Sequence, residues 1–341
     1  MRGGFKMSDV QTSNERGAAA EPLETVFMFS GQGSQYFQMG RELYEGDATF
    51  RGWMLQMDEI ARPFCGRSVV AAIYNDGHSL GDPLDRTLLS HPAIFMVEYA
   101  LAQTLVQAGI RPDLVLGASL GSFAAAAIGG FLSVEDALTA VVRQARVLEE
   151  CCEPGGMIAV LADPGLFESC LCAYSDLAAV NFSSHFVVSA RQQELGEIEA
   201  ALKRENVGYQ RLPVSFAFHS RWIEAARHPF ESFMNAVHDK PGDLPMVCCQ
   251  AMAKVSELPQ SYFWKVLRRP VQFRETVKRL EREKPRRYFD LGPSGTLATF
   301  LKYELSDCTK SITQSVLTPF GCNRYVLAAL KVAHRFLPFH S

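Results

Sequence analysis

No C-x-x-C pair occurs in this sequence, and none of its nine cysteines stands at a metal-ligand spacing from histidine. Cys151-Cys152 and Cys248-Cys249 are adjacent pairs, a poor geometry for a disulfide framework. Neither a metal site nor a stapled secreted module is therefore read from them. A reducing cytoplasm with most thiols buried is the expected setting. A charge excess is also missing: 34 Lys and Arg face 37 Asp and Glu, a net charge of −3. That balance gives no reason to expect nucleic acid or an anionic membrane as the main partner. Residues 1–24 are polar and lack the apolar core of a secretory leader; they are expected to be a disordered tail, with Met7 as an alternative start. Repeats and low-complexity segments are absent beyond this tail.

Only one uncharged stretch, Leu114 to Val134, reaches the length of a membrane-spanning helix. Its Gly, Ala and Ser content reads better as a strand, a turn and a buried helix. What is present is an ordinary globular composition over 341 residues, 48% apolar and 21% charged, enough for one large domain with an insertion or for two domains.

Along the chain, "TVFMFSGQGSQ" reads as a short apolar strand ending in a glycine-rich turn. Helical patterns follow over Gly40–Arg62, Pro92–Ala108 and Val134–Cys152, with a strand at Asp113–Leu116. Alternating strands and helices argue for an α/β architecture, a parallel sheet covered on both faces. Composition then changes. Strand candidates at Met157–Leu161, Leu177–Asn181, His185–Ala190 and Gly208–Pro213 interleave with helices at Gly165–Ala173 and Gln192–Glu205. That order is a split βαβ, ferredoxin-like unit. The domain boundaries expected are a larger part from 25–154 and 215–341 and a small one over 155–214. "RRYFDLGPSGTL" returns the chain to a strand with a Gly-Pro turn.

Within "LVLGASLGSFAAAAIGG", Gly117-Ala118-Ser119-Leu120-Gly121 fits G-x-S-x-G, a sharp strand-to-helix elbow that exposes a serine. An ordinary crossover with an incidental serine fits the five residues as well, so other residues must decide. A serine hydroxyl needs a base. Among eight histidines, His219 in "PVSFAFHSRW" has the best context, following a predicted strand and opening a helical stretch; His91 precedes a helix. A structural role for either is equally open on chemistry alone.

Four motifs in order, "FSGQGSQYFQMG", "GASLGSFAAA", "SFAFHS" and "YFDLGPSGTL", resemble the acyltransferase family of fatty-acid and polyketide synthesis, from about Val26 to Leu305. The resemblance implies a hydrolase-like α/β domain carrying a ferredoxin-like insertion. It implies Ser119 as nucleophile, His219 as its base and backbone N–H groups of Gln32 and Leu120 as the oxyanion hole. The backbone carbonyl orienting the imidazole is expected from Gln272 in "RPVQF". Asn181 matches a family asparagine near the substrate mouth, although a turn role explains it nearly as well.

Two departures bear on selectivity. The family has histidine before the nucleophile, where Ala118 stands here. It also carries an arginine on the following helix, pairing with the carboxylate of malonyl groups, and ungapped counting places Gln144 there. Arg143 and Arg146 would point about 100° and about 200° away on a helix. A register shifted by one residue would restore Arg143, and a surface position would leave Gln144 without a role. A glutamine cannot replace a bidentate guanidinium contact, so acyl groups without a free acid are expected. Phe216 and Phe218 are read either as walls of an apolar acyl pocket or as core, and His91 joins the selectivity candidates.

Ten Lys and Arg against three Glu between Lys265 and Arg287 suggest a docking face for an acidic carrier protein, with Arg268, Arg269 and Lys278 as candidates, or simply a solvated face. The resemblance implies no metal and no tightly bound cofactor, the substrate riding on the phosphopantetheine of an acyl carrier protein or on CoA. A monomer is expected. The favoured function is hydrolysis of non-carboxylated acyl groups from carrier protein, an editing role in polyketide synthesis. Acyl-CoA or malonyl-CoA:carrier-protein transacylation and an inactive docking module are the alternatives.

Overall fold

The computed structural model describes residues 23–335. The expected tail falls outside them except at its end, where Glu24 already opens a strand. Ten strands occur among the described residues: β1 (Glu24–Phe29), β2 (Leu114–Gly117), β3 (Gly155–Leu161), β4 (Asp176–Phe182), β5 (His185–Arg191), β6 (Gly208–Arg211), β7 (Met246–Cys248), β8 (Ala253–Val255), β9 (Arg286–Asp290) and β10 (Ile312–Ser315).

They form two sheets. The larger has the order β10-β9-β1-β2-β7-β8 and is parallel except where β8 turns back on β7. Its centre is β1, whose Val26 lies between Leu114 and Tyr288. Val26 to Phe29 are fully buried, as a strand covered by helices on both faces requires. The helix Thr87–Gln107 is apolar nearly all round and is buried along most of its length. The helix Val134–Cys151 is amphipathic instead, burying Ala137, Val141, Gln144 and Leu148 on one face. Ser133 caps it, its hydroxyl accepting from the Asp136 N–H at 3.0 Å. The single pattern read over Gly40–Arg62 divides into Arg41–Gly46 and Ala48–Cys65, because Asp47 stops one helix and caps the next.

The second sheet is antiparallel, in the order β4-β5-β3-β6, the ferredoxin-like arrangement the sequence pattern suggested. It has its own apolar core around Ile158, Phe186, Ile198 and Leu202. The helix expected over Gly165–Ala173 is present over 165–171, but from Phe167 to Leu171 it widens beyond regular α-helix geometry. There the Ser169 and Cys170 side chains bond back to the Leu166 carbonyl and compete with regular helix hydrogen bonds. Val271, in the segment before the helix Phe273–Glu283, ties the larger part to β4: its N–H donates to the Ala178 carbonyl and its carbonyl accepts from the Val180 N–H, both at 2.9 Å.

The long uncharged stretch resolves into β2, the elbow and the buried helix Gly121–Ile128, and no described helix is long and apolar enough to cross a membrane. All nine cysteines are free, but the expectation that most are buried fails. Only Cys248 and Cys249 are buried, while Cys151, Cys172, Cys308 and Cys322 sit exposed at helix ends and loops.

Candidate active site

Ser119 is separated from the end of β2 by Ala118 alone and holds φ at 54°, in the left-handed region that L-residues seldom adopt. The turn is closed by Gly121 N–H donating to Ala118 O at 3.1 Å and Ser122 N–H donating to Ser119 O at 3.0 Å. Two glycines permit it. A Cβ on Gly121 would run into the Phe29 carbonyl, and one on Gly31 would lie 2.9 Å from the Ser119 Cβ. The turn therefore pushes the Ser119 hydroxyl outward, over the N-terminus of the helix Gly121–Ile128.

His219 meets it there. Ser119 Oγ lies 2.8 Å from His219 Nε2, and His219 Nδ1 lies 2.8 Å from the Arg269 carbonyl. A carbonyl only accepts, so Nδ1 carries the proton and Nε2 presents its lone pair to the hydroxyl. Burial pushes the imidazole pKa down to about 4, against a smaller opposing effect of the Arg269 carbonyl. His219 is also left-handed, with φ at 59°. The expected strand before it is β6, which ends at Arg211, and residues 212–218 run irregularly from there to His219, with Val214 and Phe218 closing local turns.

The orienting carbonyl is not that of Gln272. Gln272 O accepts from the N–H and hydroxyl of Thr276, in the first turn of the helix Phe273–Glu283. Arg269 stands between the end of the helix Tyr262–Arg268 and Pro270, in the extended conformation that a residue before proline favours. That conformation frees its carbonyl for His219.

Among the described residues, neither the Gln32 nor the Leu120 backbone N–H donates to a protein acceptor. Both residues line the cavity that Ser119 and His219 share, of about 260 Å³. The loop carrying Gln32 is fixed from below by Glu98, a fully buried acid on the helix Thr87–Gln107. Its carboxyl accepts from Ser30 N–H at 2.6 Å and Ser30 Oγ at 2.9 Å, and burial raises its pKa well above the carboxylate range. Sequence reading missed Glu98, although one acid inside "HPAIFMVEYALA" was a visible anomaly.

Gln144 is 2% exposed and lines the cavity, which disposes of the surface reading. Arg143 turns away, its guanidinium lying 5.6 Å and 5.7 Å from the Phe64 and Phe233 ring centroids. Arg146 reaches the Phe64 carbonyl. Gln144 Nε2 lies 3.4 Å from His91 Nδ1, and His91 Nε2 lies 2.9 Å from Gln32 Oε1. Burial alone pushes the His91 pKa down to about 3, so this ring too is neutral. No Lys, Arg, Asp or Glu is among the lining residues.

Ala118 and Asn181 also line the cavity, Asn181 Nδ2 contacting His185 Nδ1 at 3.0 Å. Of the two phenylalanines, Phe218 lines it, while Phe216 packs edge-on against Phe218 and stays in the core. The basic candidates divide likewise. Arg268 pairs with Glu224 at 2.9 Å and Lys278 with Glu304 at 3.2 Å. Arg269 is exposed and makes no ion pair among the described residues. No group of three or more His, Cys, Asp or Glu among the described residues is placed to hold a metal ion.

The acyl transferase domain family matches residues 26–318. The chain is 44% identical over 297 residues to the polyketide biosynthesis acyltransferase homolog BaeD of Bacillus velezensis, covering 86% of this chain and 92% of that protein. It is 41% identical over 302 residues to the corresponding homolog PksD of Bacillus subtilis, covering 88% and 93%. Among solved structures, a loading acyltransferase from the avermectin modular polyketide synthase superposes with a TM-score of 0.82 at 25% identity, covering 91% of this chain and 99% of that one. The MCAT of Streptococcus pneumoniae gives 0.76 at 25% identity, covering 91% and 100%.

Proposed function

Because the chain belongs to the acyl transferase domain family, we propose that it is a Ser119–His219 enzyme of polyketide biosynthesis that hydrolyses uncharged acyl groups from acyl carrier protein. In the first half-reaction His219 Nε2 takes the Ser119 proton, and Oγ adds to the thioester carbonyl. The oxyanion is met by the Gln32 and Leu120 N–H groups, the latter at a helix N-terminus where the dipole favours negative charge. Collapse breaks the C–S bond, and the pantetheine sulfur leaves with the proton from His219. In the second, His219 deprotonates water, which adds to the ester; the carboxylic acid departs and Ser119 recovers its proton.

The single observation that carries the uncharged specificity is the lining: about 260 Å³ of cavity without one Lys, Arg, Asp or Glu among its residues, its two most buried histidines held neutral. A malonyl carboxylate placed there would have no cation to face, and a buried unpaired charge costs several kcal/mol. The polyketide context is supported by the names of the Bacillus relatives. Transfer to a second pantetheine thiol shares the first half-reaction and is favoured by the likeness to a loading acyltransferase. A docking module without catalysis would have no reason to keep the 2.8 Å contact between Ser119 and His219.

Butyryl-loaded carrier protein, incubated with the enzyme with and without an unloaded acceptor carrier, separates these by mass spectrometry. We expect free butyrate and unloaded donor in both arms. Butyryl appearing on the acceptor at the expense of free acid would replace hydrolysis by transfer. Absence of labelling by a serine-directed fluorophosphonate would leave only the docking module.

A further inference from the structure

The chain of side chains Gln32–His91–Gln144 is incomplete at both ends. With Gln144 Nε2–H donating to His91 Nδ1, the ring proton sits on Nε2 and is donated to Gln32 Oε1. Gln32 Nε2, a donor, and Gln144 Oε1, an acceptor, are then buried without a partner among the described residues. Turning both amides and moving the ring proton to Nδ1 reverses the chain. It leaves Gln32 with a free acceptor and Gln144 with a free donor. A neutral imidazole offers one donor and one acceptor, so in either polarity the cavity wall keeps one of each.

Buried polar groups are costly to leave unpaired, so the occupant of this wall should complete them. A plain alkyl chain completes neither. A ketone completes only the donor, and a carboxylate sets a charge against the acceptor. A hydroxyl both donates and accepts, and so fits both polarities. We infer that the acyl groups this site selects carry a hydroxyl close to the thioester carbonyl, taken up by the free end of Gln144, which a hydroxyl can meet in either polarity of the chain. The inference rests on Ser119 as the acylated residue, and it is indifferent to whether water or a thiol then removes the acyl group.

The test is the rate of acyl-serine formation, read as intact-protein mass, from pantetheine thioesters of butyrate, 2-hydroxybutyrate, 3-hydroxybutyrate and 3-oxobutyrate. Wild type should be acylated by at least one hydroxybutyryl thioester about tenfold faster than by butyryl, the size of effect expected when buried hydrogen-bonding groups gain a partner. The 3-oxo compound should fall between. In Gln144→Met the ratio should drop towards one, the hydroxyacyl rate falling and the butyryl rate rising. Butyryl equal to or faster than both hydroxyacyl thioesters in wild type would mean that the free ends are closed by water only, and would overturn the inference without any variant. A ratio unchanged in Gln144→Met would overturn it as well. No acylation by any thioester would remove Ser119 as acyl acceptor and take the inference with it.

Discussion

His219 and His91 line the same cavity, both withdrawn from water and both held neutral, with pKa values pushed down to about 4 and about 3. Their partners differ in kind. His219 stands between a hydroxyl, which can surrender a proton, and a backbone carbonyl, which can only accept one. That pairing fixes which nitrogen is basic and aims it at Ser119. His91 stands between two amides, each able to present either an N–H or an oxygen, so neither nitrogen is committed and no acidic proton is within reach. Burial sets the charge of both rings alike. The chemistry of the neighbours makes one a base and the other part of a recognition surface.

The largest effect that sharpens this contrast is loss of the dyad. Ser119→Ala should lower turnover about a thousandfold or more and abolish the acyl-enzyme. His219→Ala should be nearly as severe, and the double variant no worse than the single ones. Near-normal turnover in Ser119→Ala, or full additivity, would break the assignment. The pH profile tests the same pair. Acylation needs neutral His219, so it should stay level on acidification past pH 6.5 and decline only as pH falls through about 4. The unfolded chain, with an ordinary histidine near 6.5, binds that proton first. Its contribution to stability therefore shrinks as pH drops from about 6.5 towards 4. A loss of acylation centred near 6.5 would show that His219 is not buried in the working enzyme.

A smaller change acts on the recognition side. Gln144→Arg places a cation beside His91, and should raise malonyl acylation about tenfold while slowing butyryl, since the guanidinium is unpaired with neutral substrates. Ala118, in place of the family histidine, should leave the gain incomplete rather than reverse it. Efficient malonyl-serine formation by wild type would contradict the uncharged lining as a selectivity device. The smallest effect concerns the surface behind His219. Charge reversal in Arg269→Glu should slow the carrier-dependent rate a few-fold and flatten its salt dependence, because this side chain is unpaired. Reversal at Arg268, already bound to Glu224, would also disturb that ion pair and so reports less directly on docking. An unchanged salt dependence in Arg269→Glu would dismiss the docking face.

Much of this was legible in the sequence because it is local. The elbow is written in five consecutive residues, the buried strands in unbroken apolar runs, and the ferredoxin-like unit in the order of its elements. What escaped depends on where separate segments meet. The carbonyl serving His219 was assigned to Gln272 and belongs to Arg269, three residues earlier, since only the path around Pro270 decides which one faces the ring. Phe216 and Phe218 are equivalent in the sequence, and packing sends one to the core and the other to the cavity. Arg268 and Lys278 counted as free charges until Glu224 and Glu304, from elsewhere in the chain, were found holding them. The partner of Glu98 and the bridge through His91 are visible only once the helix Thr87–Gln107 lies beneath the Gln32 loop.

That His219 is steered by a backbone carbonyl also shapes how the protein can lose or keep activity through mutation. A triad whose third member is an aspartate can be disarmed at that position by one codon change; an amide oxygen is present whatever residue occupies position 269. A saturation scan should thus find position 269 permissive for the acylation step itself and Pro270, which sets the path of the chain, far less so. One component of the catalytic machinery is in this sense carried by the fold rather than by the genetic code, and a search for essential side chains would pass over it.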